Sequence, residues 1–316
     1  MPKVGYLLPT RERVMEHRDE TASLLALAEK AEGLGYDSLW VGDSLLARPR
    51  HDPLTLLAAV AARTRKPGLG TAVLLPALRN PVVLAQQVAT LDRIAEGRVI
   101  LGVGIAPDVP NVRAEFAAAG VPFDKRVGRL VEGLALCRAL WTGKPVTWPR
   151  PGAEGRWTVK ESVLGPTPHR PGGPPIWIAG AVTASRERAG KLYDGWFPNS
   201  PLAKDYAPEW AEVVAAAKAA GRDPSKLTAA MYMTLSVDDD TQRADDRLNA
   251  YLKEYYGVDP LETRKRQKSF AGPAAEAAAW IKSYADAGAT HLVLRFAGDH
   301  DRHLETAARI RRDLGW

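Results

Sequence analysis

The feature that most constrains this chain is the alternation of short apolar strands with amphipathic helices along its whole length. Lys3–Leu8, Asp37–Val41, Gly70–Leu75, Arg98–Gly104, Ile176–Gly180, Asp194–Phe197, Thr228–Val237 and His291–Phe296 read as eight strands. Between and after them, apolar residues recur at helical spacing over Thr21–Leu34, Pro53–Thr64, Pro81–Ile94, Asp124–Trp141, Thr183–Leu192, Ala207–Ala220, Gln242–Tyr256, Pro273–Ala287 and His303–Leu314. Asp108–Pro122 reads as a loop with a short helix, and Asp124 as an N-cap. Strands that alternate with helices make a parallel sheet with the helices outside. The count of eight favours a closed (β/α)8 TIM barrel over an open doubly wound sheet, whose glycine fingerprint should open the first strand-helix turn and does not. The 316 residues suit a barrel of about 250 residues with an insertion. The Pro- and Gly-rich segment 143–175, with a strand-like piece around Trp157–Val163, is that insertion, after the fourth strand-helix unit of a single α/β domain spanning 1–316.

Composition narrows the function classes. Apolar residues make up 46% and charged residues 25%, ordinary for a globular core. A single cysteine, Cys137, on an apolar helix face, allows no internal disulfide and reads as core. The opening residues lack the basic, apolar and small-residue regions of a signal peptide, and no apolar run approaches the roughly 18 residues of a membrane span, so a cytoplasmic protein is expected. The net charge of +6 is mild and spread along the chain, which speaks against nucleic-acid binding. Its densest run, Arg264–Lys268, reads as a solvated loop or as a cradle for an anionic ligand. The six histidines form no zinc motif; His300 and His303, one helical step apart, read as a polar helix start.

In a parallel barrel the chemistry sits where the strands end and their following loops begin. That rule selects Asp43 and Ser44, Leu75–Asn80, Gly104–Asn111, Gly180–Ala184, and Asn199 with Ser200. Asp43 is the best acid candidate; the other reading is a carboxylate that caps a loop N–H. Small residues at Gly180-Ala181-Val182, between a strand and a helix, let backbone N–H groups approach an anion; the other reading is an ordinary turn. Leu101-Gly-Val-Gly104 lacks the third glycine of a dinucleotide site, so Gly104 reads as close packing within the barrel.

The chain also resembles the luciferase-like family of flavin-dependent monooxygenases and coenzyme F420-dependent oxidoreductases. The resemblance is carried by A-E-G-L-G-Y-D-S-L-W-V-G-D-S at 31–44, L-G-T-A-V-L-L-P-A-L-R-N-P at 69–81, A-T-L-D-R-I-A-E-G-R-V-I-L-G-V-G at 89–104 and P-P-I-W-I-A-G at 174–180, with further segments to residue 296. The opening Tyr6–Glu12 and Gly42–Arg50 look most like the branch labelled probable F420-dependent. The resemblance implies a non-proline cis peptide at Ala72-Val73 that backs the flavin ring, a phosphate turn at Gly180-Ala181-Val182, and a polar position at Asp43 near the reactive ring, with Ser44 as its hydrogen-bond partner. Gly104 joins these as a cofactor contact. Many relatives have histidine after the acidic residue of strand two; here Ser44 stands there, and His51 is the nearest substitute. Many deazaflavin-dependent relatives also carry an acidic residue soon after Gly104, where this chain has Ile105-Ala106-Pro107 before Asp108. The implied activity is hydride transfer between coenzyme F420 and a small organic substrate. The alternative is an FMN-dependent monooxygenase served by a partner flavin reductase. A homodimer is common among relatives. A barrel lyase or isomerase would want a lysine or a carboxylate pair at strand ends, and a non-catalytic flavin-binding barrel would bind without turnover.

Overall fold

The computed structural model describes residues 1–18 and 20–316. Eleven strands run in chain order: β1 Lys3–Leu7, β2 Ser38–Val41, β3 Gly68–Thr71, β4 Val99–Val103, β5 Val146–Trp148, β6 Val159–Ser162, β7 Ile176–Ile178, β8 Gly195–Trp196, β9 Thr228–Val237, β10 Ser269–Gly272 and β11 His291–Phe296. Eight of them close a parallel barrel in the order β1-β2-β3-β4-β7-β8-β9-β11, with β11 returning to β1. The barrel is the (β/α)8 TIM barrel that the alternation requires.

The other three strands lie outside the ring. β5 and β6 form an antiparallel hairpin within 143–175, between the helix Arg126–Leu140 and β7. β10 pairs in parallel with the end of the ten-residue β9, Ser269 opposite Thr234. The sequence reading has no strand there, because Ser-Phe-Ala-Gly is too short to show a period.

Helix starts follow local chemistry. Asp52 caps Pro53–Arg63 by accepting from Thr55 N at 2.9 Å, and Asn80 caps Pro81–Ile94 by accepting from Val82 N at 2.9 Å. In both helices proline takes the first position, where its missing N–H costs nothing. Asp124 is not the cap expected of it: it lies within the 3-10 turn Phe123–Lys125, the helix starts at Arg126, and no side chain caps it. Asp124 instead faces Arg113 at 3.6 Å. The third strand also ends earlier than its apolar pattern suggests. After Thr71 the chain passes through a cis peptide at Ala72-Val73, and Leu74 rejoins β4 through a single bridge to Val103. Two charged segments without a strong apolar period are helical, Thr10–Met15 and Pro260–Arg266.

The barrel axis is filled near its base by Leu7, Trp40, Trp177, Phe197, Ala230 and Val293. Trp40 is the centre of this group, 5.3 Å from Trp177 and 5.0 Å from Phe197 between ring centroids. A tryptophan fits there because its neighbours on β1 and β3 are Gly5 and Gly70: a Cβ on either would overlap the indole. Ser38 Oγ receives the Trp40 indole N–H at 2.7 Å and bonds His291 Nε2 at 2.7 Å, which closes the polar groups at the base. A second apolar shell packs the outward strand faces against the helices; it includes Cys137, whose thiol burial pushes up to about 12. His300 and His303 stand at the polar start of the helix His300–Asp313, as expected, but their rings are buried. They turn inward, His300 bonding Tyr6 at 2.8 Å and His303 Nε2 accepting from Val237 N at 3.0 Å.

Two glycines make a paired test. Gly70→Ala drives a methyl into Trp40, and overpacking of this kind costs about 1–3 kcal/mol. Gly33, in the helix Ala22–Gly33, has nothing near its absent Cβ, so Gly33→Ala should stabilise by about 0.5–1 kcal/mol. Urea denaturation of both variants checks the opposite signs. A second test uses pH. Burial, helped by Lys3, holds His291 down to about 3. Below pH of about 6.5 the unfolded chain takes up a proton that the folded chain refuses. Stability contributed by neutral His291 is therefore full above that pH and falls by about 1.4 kcal/mol per unit as pH drops toward 3. His291→Gln should flatten the slope between pH 6.5 and 5 measured by denaturant titration.

Candidate active site

At the C-terminal end of the barrel, residues facing the axis keep contact with solvent. Ala72, Val73, Tyr232, Arg50 and Gly180 are each half-buried, although they belong to barrel strands or the loops directly above them. The mouth is thus open above a closed base.

Asp43 follows β2 and its side chain is 1% exposed. Both carboxylate oxygens are engaged. Oδ2 accepts from Arg79 Nη1 at 2.5 Å and from Leu75 N at 2.8 Å, and Oδ1 accepts from Arg79 Nη2 at 3.0 Å. This two-pronged pairing is the strong geometry for arginine and carboxylate. Arg79 also reaches Asp52 at 3.2 Å. Burial opposes the Arg79 charge, but Asp43 and Asp52 more than offset it and hold the guanidinium above its ordinary value. Asp43 therefore ties β2 to the segment 72–79 that carries the cis peptide.

Ser44 is turned away from the axis. Its hydroxyl donates to Glu115 Oε1 at 2.7 Å and accepts from Arg48 N at 2.9 Å. The same Glu115 oxygen accepts from Leu46 N at 2.8 Å and Ala47 N at 3.1 Å, so one buried carboxylate moulds the loop after β2. Composition-level reading had no means of finding Glu115, which sits 71 residues from Ser44 on the helix Pro110–Ala118.

Ala72, Val73, Gly104, Gly180, Ala181 and Val182 come together across β3, β4 and β7, which are adjacent in the barrel. Gly104 is needed for this: a Cβ there would lie 2.5 Å from Val73 Cγ2 and 3.9 Å from Ala179 Cβ. Gly180 has φ +111°, and a Cβ would meet Ser185 Oγ at 2.8 Å. The helix Thr183–Leu192 that follows has Val182 at its N-cap and no side-chain capping bond, so its first N–H groups point into an exposed turn. Arg186 reaches back to this turn, donating to Ala181 O and to Thr183 Oγ1 at 3.2 Å. Uncapped N–H groups, a positive helix end and a missing side chain fit a phosphate.

The opposite wall carries residues that the strand-end rule did not select. In the barrel order β9 stands four strands from β3. Tyr232 on β9 and Arg295 on β11 face the axis there, with Arg295 1% exposed. Arg295 bonds Thr234 Oγ1 at 2.9 Å and the Tyr256 hydroxyl at 2.9 Å, and its guanidinium lies about 5 Å from the rings of Tyr232, Tyr251 and Tyr255. Tyr251, Tyr255 and Tyr256 come from the helix Thr241–Tyr256, which lies over this side of the mouth. Tyr251 donates to Glu12, just after β1. An arginine within the buried run His-Leu-Val-Leu-Arg-Phe was the one signal in the sequence that could have pointed here.

Two of the four cations in the basic run Arg264–Lys268 are paired with carboxylates. Arg264 pairs with Asp245 at 2.6 Å, Lys265 pairs with Glu262, and Lys268 donates to Lys265 O at 3.0 Å. Among the described residues, no group of three or more His, Cys, Asp or Glu side chains is placed to hold a metal ion, and no helix is long and apolar enough to cross a membrane.

The chain is a parallel (β/α)8 barrel with a cis peptide after its third strand and a helix start without a side-chain cap after its fifth. Residues 1–315 match the family model for luciferase-like monooxygenases, and the chain belongs to that family. It is 34% identical over 317 residues to the F420-dependent glucose-6-phosphate dehydrogenase of Nakamurella multipartita, covering 89% of this chain and 88% of that protein. It is 30% identical over 253 residues to the 5,10-methylenetetrahydromethanopterin reductase of Methanolobus tindarius, covering 77% and 73%. Among solved structures it is similar to an F420-dependent secondary alcohol dehydrogenase in complex with an F420-acetone adduct, with 25% identity, a TM-score of 0.79 and 98% of each chain covered. The coenzyme F420-dependent tetrahydromethanopterin reductase of Methanopyrus kandleri shares the fold, with a TM-score of 0.76 at 20% identity over 98% of this chain and 97% of that one.

The Asp43–Arg79 pair makes a sharp prediction. Removing one member of a buried pair leaves the other uncompensated and costs about 3–5 kcal/mol. Asp43→Asn should lose stability on that scale. The double variant with Arg79→Met should lose much less than the sum of the two single changes in a denaturation cycle; additive losses would mean that the pair is not coupled.

Proposed function

We propose that this protein is a coenzyme F420-dependent oxidoreductase that moves a hydride between the deazaflavin and a small organic substrate in the barrel mouth. The observation that carries the reading is the set Ala72–Val73, Gly104 and Gly180–Val182 gathered on three adjacent strands, in a chain whose relatives over about nine-tenths of its length are named for F420. The residues present fit the group: a bulge with small side chains on one side, and an uncapped helix N-terminus with Arg186 beside it on the other.

When bound, the deazaflavin supplies a two-electron hydride acceptor or donor. The chain's part is placement and charge. Ala72 and Val73 would back the ring, with Gly104 leaving room for Val73; Gly180, Ala181 and Val182 would hold the phosphate through backbone N–H groups. Asp43 contributes by locking segment 72–79 through Arg79 and Leu75 N, and Ser44 by fixing the loop after β2 through Glu115. Both are positioning residues in this reading, since their polar atoms are already engaged. The filled base around Trp40 closes the far end, so substrate enters and leaves through the mouth alone.

Titration of the apoprotein with coenzyme F420 and, separately, with FMN, followed by cofactor fluorescence, tests the proposal. F420 should bind and FMN bind far more weakly. Gly180→Val, which puts a branched side chain where Ser185 and the turn leave no room, should weaken F420 at least tenfold. Binding of FMN alone would overturn the reading in favour of a monooxygenase supplied by a partner flavin reductase.

A further inference from the structure

Many arginines of this chain are held by carboxylates, and others by backbone carbonyls. Arg79, Arg113, Arg138, Arg186, Arg243 and Arg247 are among those paired with carboxylates. Arg11, Arg48, Arg50 and Arg295 sit together on the β9–β11–β1–β2 side of the mouth. Among the described residues, none of these four has a carboxylate within ion-pair distance. Their guanidinium groups stack on the same two rings: Arg11 lies 5.0 Å, Arg50 5.6 Å and Arg295 4.8 Å from the centre of Tyr255, and Arg48 lies 4.9 Å from that of Tyr256. One carboxylate is nearby, Glu12, and it is engaged by the Tyr251 hydroxyl. Tyr232 and Tyr251 do not serve as counter-charges, because burial raises both phenols well above their ordinary value.

Four cations against one anion in a partly dewatered recess is an unfavourable arrangement unless something negative completes it. Two local observations show the incompleteness. Arg48 Nε is buried without a hydrogen-bond partner. Arg11 is pushed below its ordinary value by burial, and the charges of Arg50 and Arg48 add to that push, whereas Arg50, despite its burial, is held above its ordinary value by Tyr255 and Glu12. The position of Arg50 shows where an anion would sit. Its guanidinium occupies the space over Gly42 that a Cβ would fill, and that same space is 3.5 Å from Ala72 O at the cis bulge. Arg50 therefore borders the ring-backing bulge from the β2 side, while the Gly180 turn that would hold the cofactor's phosphate lies two strands beyond β3, after β7. Arg11, Arg48 and Arg50 each keep part of their surface open.

We infer that the mouth holds a second anion site, built by Arg50, Arg48 and Arg11 with Arg295 behind them, and that the substrate is an alcohol or carbonyl compound bearing a compact oxyanion such as a phosphate or carboxylate. The inference rests on the proposed oxidoreductase function for its meaning as a substrate site, but the anion site itself does not depend on it. Guanidinium forks match either oxyanion, and the anion anchors the substrate beside the reacting ring while its alcohol or carbonyl carbon does the chemistry.

The test is calorimetric titration of the apoprotein with inorganic phosphate and with acetate, repeated on the F420-loaded protein, in which the Gly180 turn is filled. Wild type should still bind phosphate when F420 is loaded. Arg50→Met should lower the affinity at least tenfold, Arg48→Met should lower it less, and Arg50→Lys should recover part of the loss. The preferred oxyanion is the one that binds more tightly. Circular dichroism, unchanged in Arg50→Met, separates a lost site from a lost fold. Equal phosphate affinity in wild type and Arg50→Met, or no binding of either anion, overturns the inference. Failure of F420 itself to bind overturns the function reading instead, and the apoprotein comparison still decides the anion site.

Discussion

Everything in this molecule depends on how the barrel axis is filled. Eight parallel strands enclose a space that must be packed at one end to be stable and left open at the other to be useful. Trp40 settles both demands. It takes the centre of the base because Gly5 and Gly70 yield the room, and Trp177, Phe197 and His291 pack around it. Above that layer the inward residues become small or polar: Ala72, Gly104 and Ala179 on one wall, Tyr232 and Arg295 on the other. The same strands are thus core below and site above, and the change occurs within two or three residues of each strand end.

The loops above the strands are held by buried carboxylates. Asp43 grips Arg79 and Leu75, and Glu115 grips Ser44 and three successive backbone N–H groups. Each satisfies several donors with one carboxylate in a crowded turn. Such carboxylates look catalytic in a sequence, because they stand at strand ends. Their role here is to make the mouth rigid, so that a bulge and a turn on neighbouring strands keep a fixed separation.

How much of this was legible in the sequence follows from range. The barrel was legible because its signal is local and repeated: each strand is an apolar run, and each helix start is marked, as at Asp52-Pro53 and Asn80-Pro81. The gathering of small residues at neighbouring strand ends was legible, above all at Gly180-Ala181-Val182, and their part in holding a cofactor is the proposal built on it. Strand bounds were less so at β3, where Leu74 and Leu75 continue the apolar run although the chain has already left the sheet at Ala72. Asp124 was misplaced because an acidic residue before a helix marks a cap only if the helix begins immediately after it. The opposite wall was not legible. Glu12, Arg50, Tyr251 and Arg295 belong to four separate segments, and only closure of the barrel makes them neighbours.

The two walls differ in how they treat charge, and that difference explains why one fold can keep a cofactor and vary its substrate. In the proposed function the β3–β4–β7 wall binds through backbone, and a Cβ at Gly104 or Gly180 would meet Val73 or Ser185. The β9–β11–β1–β2 wall binds through side chains held on loops and on the helix Thr241–Tyr256, where Arg11, Arg48 and Arg50 could each be exchanged without disturbing a strand. Backbone sites change slowly because every substitution strains the fold, whereas side-chain sites change freely because the barrel beneath is indifferent to them.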